Sequence, residues 1–197
     1  MAFECPFGGA SSLAFTWGTT REERERSFPC DRHVSQPADA YFRAVDVDAP
    51  PAVVFRWLCQ LKVAPYSYDW IDNLGRTSPR QLTPGLDELA AGQRFMAGFE
   101  LIEFDPGRHL TLLARPSFAG VMGLEALTVS YVVVPRAAVG ARLVVKLVVR
   151  YGAGPVGWLL RQLLPWGDLV MMRKQLLTLR DLAEAQCARK ELAPAVG

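Results

Sequence analysis

The sequence predicts an α+β fold in which a curved antiparallel sheet wraps around one long C-terminal helix. Three observations predict it: a strand that leads directly into an amphipathic helix, a run of strands between residues 93 and 151, and an apolar-striped helix over residues 168–186. A single antiparallel sheet must bury one face, and this last helix is the only long element available to cover it.

The first strand and helix occupy residues 41–61. Strand-forming residues predominate at 41–47, where Arg43 shares a face with Tyr41 and Val45. Asp48 and two prolines follow, and these residue types suit the start of a helix. The next apolar residues recur at helical spacing, namely Val53, Val54, Trp57, Leu58 and Leu61.

Four further strands are predicted at 93–102, 109–115, 127–134 and 141–151, with a turn at 105–108 and a glycine-bearing loop at 116–123. The last strand is the clearest, because its apolar and basic residues alternate. One face carries Leu143, Val145, Leu147 and Val149, and the other carries Arg142, Lys146 and Arg150. We therefore expect an apolar concave face and a solvent-exposed convex face.

The C-terminal region is predicted to be helical. A short helix at 154–164 is expected to break at Pro165, and Asp168 is expected to cap a longer helix that ends near Gln186. The predicted organisation is an N-terminal arm at 1–40 that packs on the domain through five aromatic residues, a domain at 41–187, and a frayed tail at 188–197.

The composition excludes several classes of protein. The 197 residues are half hydrophobic and 21% charged, as expected for one globular domain. The net charge is +2, without the basic excess of a nucleic-acid binder. No segment has the length of a membrane span or the basic start of a secretory signal. We expect a cytoplasmic protein without nucleic-acid partners or an integral membrane segment; a homodimer is compatible with the sequence.

The cysteines and histidines predict neither a disulfide framework nor a metal site. No CxxC pair occurs among the four cysteines, which are Cys5, Cys30, Cys59 and Cys187. A disulfide framework is unusual in so large a cytosolic domain. His33 and His109 are the only two histidines, too few for a site built on histidine and cysteine.

Three segments carry a resemblance to a known superfamily: VDVDAPPAVVFRWL at 45–58, FELIEFDPGRHLTL at 99–112 and DLVMMRKQLLTLRDLAE at 168–184. In this order they resemble the START-like superfamily, also called SRPBCC or Bet v 1-like, and within it the bacterial polyketide cyclase/dehydrase and lipid-transport group. The resemblance covers residues 41–186 and implies a helix-grip fold with an internal cavity for an apolar molecule. The aromatic arm and residues 62–92 depart from the family pattern, so the ligand stays open.

Residues 152–157 read GAGPVG and fit the G-x-G-x-x-G pattern of dinucleotide-binding turns. Such a site also needs a βαβ unit with an acidic residue at the end of its second strand. No strand is predicted after this motif. The sequence therefore predicts a flexible strand-to-helix turn and no nucleotide cofactor.

The segment PYSYDWIDN at 65–73 is the first candidate for function, because it places several polar aromatic and acidic side chains on an irregular segment. Asp69 or Asp72 would act as a general base if burial raised its pKa. The predicted lining of the cavity mouth consists of Tyr66, Tyr68 and Trp70. Alternatively, Asp72 and Asn73 turn the backbone while the aromatic residues fill the core.

Arg43, Phe99 and His109 complete the predicted ligand-binding residues. An inward Arg43 would anchor an anionic group of a ligand, and an inward His109 would orient a polar one. Glu100 and Glu103 have opposite parity, so at most one of them points inward unless the strand contains a bulge. The alternative for these polar positions is the solvent-exposed convex face.

The predicted function is binding of a hydrophobic small molecule, a lipid or a polyketide-like aromatic metabolite, in the internal cavity. One alternative is a cyclase- or dehydratase-type enzyme with an inward acid or base. Another is a non-catalytic interaction module whose cavity is filled by side chains. No G-x-S-x-G, HExxH or P-loop motif occurs, so hydrolase chemistry of those kinds has no support.

Overall fold

The structure is a computed structural model that describes residues 13–34, 38–72, 75–137 and 140–192. Six strands form one antiparallel sheet: β1 (Asp39–Val47), β2 (Arg94–Phe95), β3 (Phe99–Asp105), β4 (His109–Ala114), β5 (Leu124–Pro135) and β6 (Ala141–Tyr151). Their order in the sheet is β1-β6-β5-β4-β3-β2. The helices are α1 (Leu13–Thr16), α2 (Arg21–Glu25), α3 (Pro51–Cys59), α4 (Asp69–Asp72), α5 (Pro116–Val121) and α6 (Gly154–Leu192), with 3₁₀ turns at Pro29–Arg32 and Gln60–Lys62. The predicted helix-grip fold is confirmed.

The concave face of the sheet is apolar, as its alternation predicts. Leu143, Val145 and Leu147 on β6 are all buried. The register across three strands pairs Arg43 with Val145, and Val145 with Tyr131. Arg43 and Tyr131 therefore lie on one row of the concave face, about 10 Å apart across the sheet.

The prediction that Pro165 ends a helix is wrong, because α6 is continuous from Gly154 to Leu192. A proline inside a helix removes one backbone hydrogen bond without necessarily ending the helix. Packing decides here: Pro165 is buried, and Leu169 and Met172 beyond it are buried against the core. The helix also extends past Gln186, where the periodicity predicted its end.

The predicted exposure of the convex face is also wrong in part, because residues 23–34 cover part of it. Phe28, Cys30 and Val34 form a second apolar cluster with Val144 and Val148 of β6. Two of the three basic residues of this face bind acids of the same segment. The ion pairs are Lys146 Nζ to Asp31 Oδ1 at 2.6 Å and Arg142 Nε to Glu23 Oε1 at 2.8 Å.

Two smaller elements also differ from the predictions. The residues expected to form a glycine-bearing loop contain α5, which begins with Pro116 in its first turn. Asp48 does not cap α3, since the helix begins at Pro51 and the preceding Pro50 offers no side-chain cap. The Asp48 backbone amide instead donates to Glu184 Oε1 on α6 at 3.0 Å.

Candidate functional site

Polar side chains converge between the concave face and α6, in a core that is otherwise apolar. We call this set the inner polar cluster; it consists of Tyr41, Arg43, Tyr131, Tyr151, Asp168 and Gln175. Four of its members lie on β1, β5 and β6. The other two lie on α6, seven residues apart, so they share the helix face that packs on the sheet.

An ion pair between Arg43 and Asp168 forms one end of the inner polar cluster. Arg43 is fully buried, and its Nη2 donates to Asp168 Oδ2 at 2.7 Å. The same nitrogen donates to the backbone oxygens of Ala14 at 2.8 Å and Pro165 at 3.3 Å, while Nη1 donates to that of Phe42 at 2.9 Å. Arg43 Nε has no hydrogen-bond partner.

Burial dominates the electrostatics of this pair. Removal from water raises the pKa of Asp168 to about 6, although the Arg43 guanidinium opposes the shift. Removal from water also lowers the pKa of Arg43, against the opposing effect of Asp168. Asp168 is thus a largely buried carboxyl whose pKa is raised towards the range in which general acids and bases work.

A hydrogen-bonded chain across the core forms the other end of the cluster. The Tyr131 hydroxyl donates to Gln175 Oε1 at 2.7 Å, and Gln175 Nε2 donates to the Pro65 carbonyl oxygen at 2.7 Å. Burial and then the charge of Asp168 raise the pKa of Tyr131, so its hydroxyl stays neutral. The phenol is therefore available as a hydrogen-bond donor or acceptor and not as a base.

Residues with a strained backbone lie where the hydrogen-bonded series from Tyr131 through Gln175 reaches the loops. Tyr66, next to Pro65, has φ of 55°, and Met96 has φ of 43°. Gln175 Nε2 also lies 3.3 Å from Met96 Sδ. Tyr66 is buried, and its hydroxyl has no hydrogen-bond partner. Positive φ in residues with a Cβ costs free energy and is found preferentially at ligand sites.

An open pocket of about 320 Å³ lies where β6 joins α6, and Tyr151 forms part of its wall. The hydroxyls of Tyr151 and Tyr41 contact each other. The Tyr41 ring in turn lies 5.7 Å from the Arg43 guanidinium carbon. A continuous series of contacts therefore links this pocket to the inner polar cluster. The other side chains that line it are Glu125, Trp158 and Arg161.

The glycines at 152–157 lie beside the same pocket, and their packing explains the motif. A Cβ at Gly157 would overlap the carbonyl oxygen of Gly152, so only glycine allows the start of α6 to approach the end of β6 so closely. No strand follows α6 in the part of the chain that the structure describes. The βαβ unit of a dinucleotide site is thus missing from the described residues.

The PYSYDWIDN segment divides between core and surface. Tyr66 is buried against Trp57 with ring centroids 6.1 Å apart, Tyr68 is half-buried, and Trp70 is 76% exposed. Asp69 holds the loop together, because its Oδ2 accepts the backbone amide of Ser78 at 2.9 Å and its Oδ1 accepts the Ser78 hydroxyl. Asp72 ends α4; its side chain and Asn73 lie outside the described residues.

His109 and Glu103 lie on the convex face, under the arm. Glu103 Oε2 lies 3.0 Å from His33 Nε2, while its Oε1 accepts from Arg32 and lies 3.5 Å from His109 Nε2. A register shift between Leu101 and Glu103 marks a bulge in β3. The opposite parity of Glu100 and Glu103 had left such a bulge open as an alternative.

Phe99, at the start of β3, packs against Phe118 of α5 with ring centroids 5.4 Å apart. It is half-buried and makes its ring contact at the outer part of the sheet. The structure therefore brings Arg43 into the inner polar cluster, but not Phe99 or His109.

Asp168 and Gln175 were not identified as site residues from the sequence. Asp168 looked like a helix cap, because Pro165 suggested that a helix ended just before it. One signal was present: Gln175 lies within the apolar stripe of the helix, between Met172 and Leu176. A polar residue on an apolar stripe indicates either a buried hydrogen bond or a site.

The described residues offer no group of three or more histidine, cysteine or acidic side chains that could hold a metal ion. Among the described helices, none is long and apolar enough to cross a membrane.

Comparisons with known proteins add a likeness of fold. No protein-family model and no curated protein matches the chain. It is similar to TTHA0849 from Thermus thermophilus, with 18% identity, a TM-score of 0.49, and coverage of 75% of this chain and 99% of that one. It is also similar to norcoclaurine synthase of Thalictrum flavum, with 13% identity, a TM-score of 0.45, and coverage of 80% of this chain and 99% of that one. A third similar structure is the di-domain ARO/CYC protein BexL from the BE-7585A biosynthetic pathway. Its identity is 14% and its TM-score 0.45, and the match covers 74% of this chain and 46% of that one.

Proposed function

We propose that the protein binds a hydrophobic small molecule that carries a polar group, such as a lipid or a polyketide-like aromatic metabolite, between the concave face and α6. The observation that carries this proposal is the convergence of the inner polar cluster in an apolar core. Burying polar groups costs free energy, and more so when a group lacks a partner, as Arg43 Nε and the Tyr66 hydroxyl do. A few polar groups in an apolar interior are what orients a small-molecule ligand.

Entry of such a molecule requires the first half of α6 to move. Tyr131, Met172 and Leu176 are buried and occupy the space between sheet and helix. The open pocket beside Tyr151 lies at the start of α6, before Pro165 removes one backbone hydrogen bond from the helix. The ligand would therefore enter at this pocket and displace Tyr151 and Tyr41 on its way to Arg43.

The test is titration with 8-anilinonaphthalene-1-sulfonate, which combines an apolar body with an anionic group. We expect saturable binding to the folded wild type. In the double variant Tyr131→Phe/Gln175→Leu, which removes hydrogen bonds while keeping the side-chain volumes similar, we expect the Kd to rise by about threefold to tenfold. Native mass spectrometry of the purified protein would then identify any co-purified molecule.

Leu163→Glu is the matched control, because Leu163 is 58% exposed on the outer side of α6 and lies outside the inner polar cluster. Its Kd for the probe should equal that of the wild type. The proposal fails if the folded wild type shows no saturable binding. It also fails if Leu163→Glu abolishes binding while the double variant binds normally, because the probe would then occupy the outer surface.

A cyclase- or dehydratase-type activity is the second candidate, and the pKa of Asp168 near 6 favours it. A carboxyl that ionises near working pH can take a proton from a carbon next to a carbonyl and return it. We expect the wild type to accelerate deuterium incorporation into the methyl group of acetophenone, with a rate that rises through about pH 6. Asp168→Asn should bind the sulfonate probe but lose this exchange; equal rates in both proteins would exclude Asp168 as the base.

A further inference from the structure

The outer side of α6 changes its chemistry halfway along the helix. Its first half exposes apolar side chains, each 49% to 65% exposed, which we call the exposed stripe: Val156, Leu159, Leu163, Trp166 and Val170. They recur at intervals of three and four residues and so share one helix face, whereas the exposed Trp158 lies on the side of the helix that borders the open pocket. The next exposed residues after Val170 are Arg173 and Lys174.

The exposed stripe is not the edge of the core. The opposite side of the same helix faces the protein, where Gly157, Leu169 and Met172 are buried. The apolar surface also continues onto α5, whose last residue, Val121, is 89% exposed. The two elements are neighbours, because a Cβ at Gly123 would touch Leu160 Cδ1. A soluble monomer rarely exposes so continuous an apolar surface without a partner for it.

Two of the cations around the exposed stripe have no acidic partner among the described residues. Residues 150–180 contain five cations and one acid, Asp168, which is turned inward to Arg43. Three of these cations are paired with acids outside this range, among them Arg180 with Asp181. The neighbouring carboxylates of Asp39 and Glu125 are paired with Arg161 and Arg150, respectively. Arg173 and Lys174, directly after the stripe, are exposed and form no ion pair with a described residue.

We propose that the exposed stripe docks the protein on an anionic lipid surface. Aliphatic side chains would enter the outer acyl region, the indole of Trp166 would lie at the interface, and Arg173 and Lys174 would meet the lipid phosphates. A second copy of the chain fits less well, because a two-fold contact places a patch against itself and here cations would meet cations. Docking of this kind does not depend on whether the core binds a ligand.

The experiment is co-sedimentation with vesicles. The wild type should sediment with vesicles of phosphatidylglycerol and phosphatidylcholine in equal parts, and much less with phosphatidylcholine alone; added salt should weaken the binding. Leu163→Glu and Val170→Glu should each lower the partition coefficient by about tenfold or more. Val63→Glu is the control for Val170→Glu, because Val63 is 44% exposed and lies outside α6, whereas Val170 is 53% exposed.

A spectroscopic readout places the contact. Brominated lipid should quench part of the tryptophan fluorescence of the wild type. In Trp166→Phe, which keeps an apolar ring at this position, binding should persist while this quenched part disappears. The proposal is overturned if the wild type does not co-sediment with anionic vesicles, or if Val63→Glu weakens binding as much as Val170→Glu does. It is also overturned if light scattering shows a lipid-free dimer that Leu163→Glu dissociates, which would make the stripe an interface between copies.

Discussion

Replacement of Asp168 by asparagine should remove a pH dependence of stability that the buried carboxyl creates. Burial raises the pKa of Asp168 in the folded protein to about 6, compared with 3.8 for the free side chain, even though Arg43 Nη2 lies 2.7 Å away. Between these two values the folded protein holds a proton that the unfolded chain has lost. This contribution to stability is complete below the unfolded pKa and disappears as the pH rises through about 6.

The wild type should therefore gain about 1 kcal/mol relative to Asp168→Asn when the pH falls from 8 to 5, which is one unit below the folded pKa. The free energy of unfolding is measured by urea titration across this range, with tryptophan fluorescence as the signal. Asp181→Asn is the control, because it removes an exposed carboxylate from the same helix. If the stability difference between the wild type and Asp168→Asn does not change with pH, the reasoning is refuted, since pairing with Arg43 would then outweigh burial.

Three further changes test the packing, a helix cap and the buried thiols. Gly157→Ala should lower the free energy of unfolding by about 1–3 kcal/mol or more, because its methyl would overlap the carbonyl of Gly152; an unchanged urea midpoint would contradict this. Thr20→Ala removes the side chain that caps α2 and should lower the free energy of unfolding by about 0.5–2 kcal/mol; an unchanged midpoint of thermal unfolding would contradict this. Burial raises the pKa of Cys30 and of Cys59 to about 11, so at pH 8 both should react slowly with iodoacetamide until urea unfolds the chain; fast labelling of the folded protein, seen by peptide mapping, would argue against their burial.

Local sequence patterns were enough to predict most strands and helices of the domain, although the strand expected at 93–102 is divided into β2 and β3. The alternation of Leu143, Val145 and Leu147 with Arg142 and Lys146 fixes which face of β6 meets the core, because side chains along a strand point to opposite faces. The residues expected at 141–151 are the residues of β6, without a shift. The same kind of periodicity predicted α3 and the second half of α6.

Predictions failed where a local signal competed with packing. Pro165 is a helix breaker in isolation, but its own burial and that of Leu169 and Met172 after it keep α6 continuous. Arg142 and Lys146 look solvated when only their strand is considered, yet Glu23 and Asp31 of the arm cover them. Neither outcome can be read from a short window of sequence, because the compensating contacts come from distant segments.

The sequence by itself determined the class of fold and the apolar concave face, and it placed Arg43 on the same face of its strand as Tyr41 and Val45. Only the tertiary structure decided what surrounds that arginine. Its partner Asp168 is 125 residues away, and the Tyr131–Gln175 bond spans 44 residues. The physical reason is that periodicity reports which face a residue occupies, whereas the cluster depends on how α6 lies across the sheet. That arrangement is set by the combined packing of the whole core.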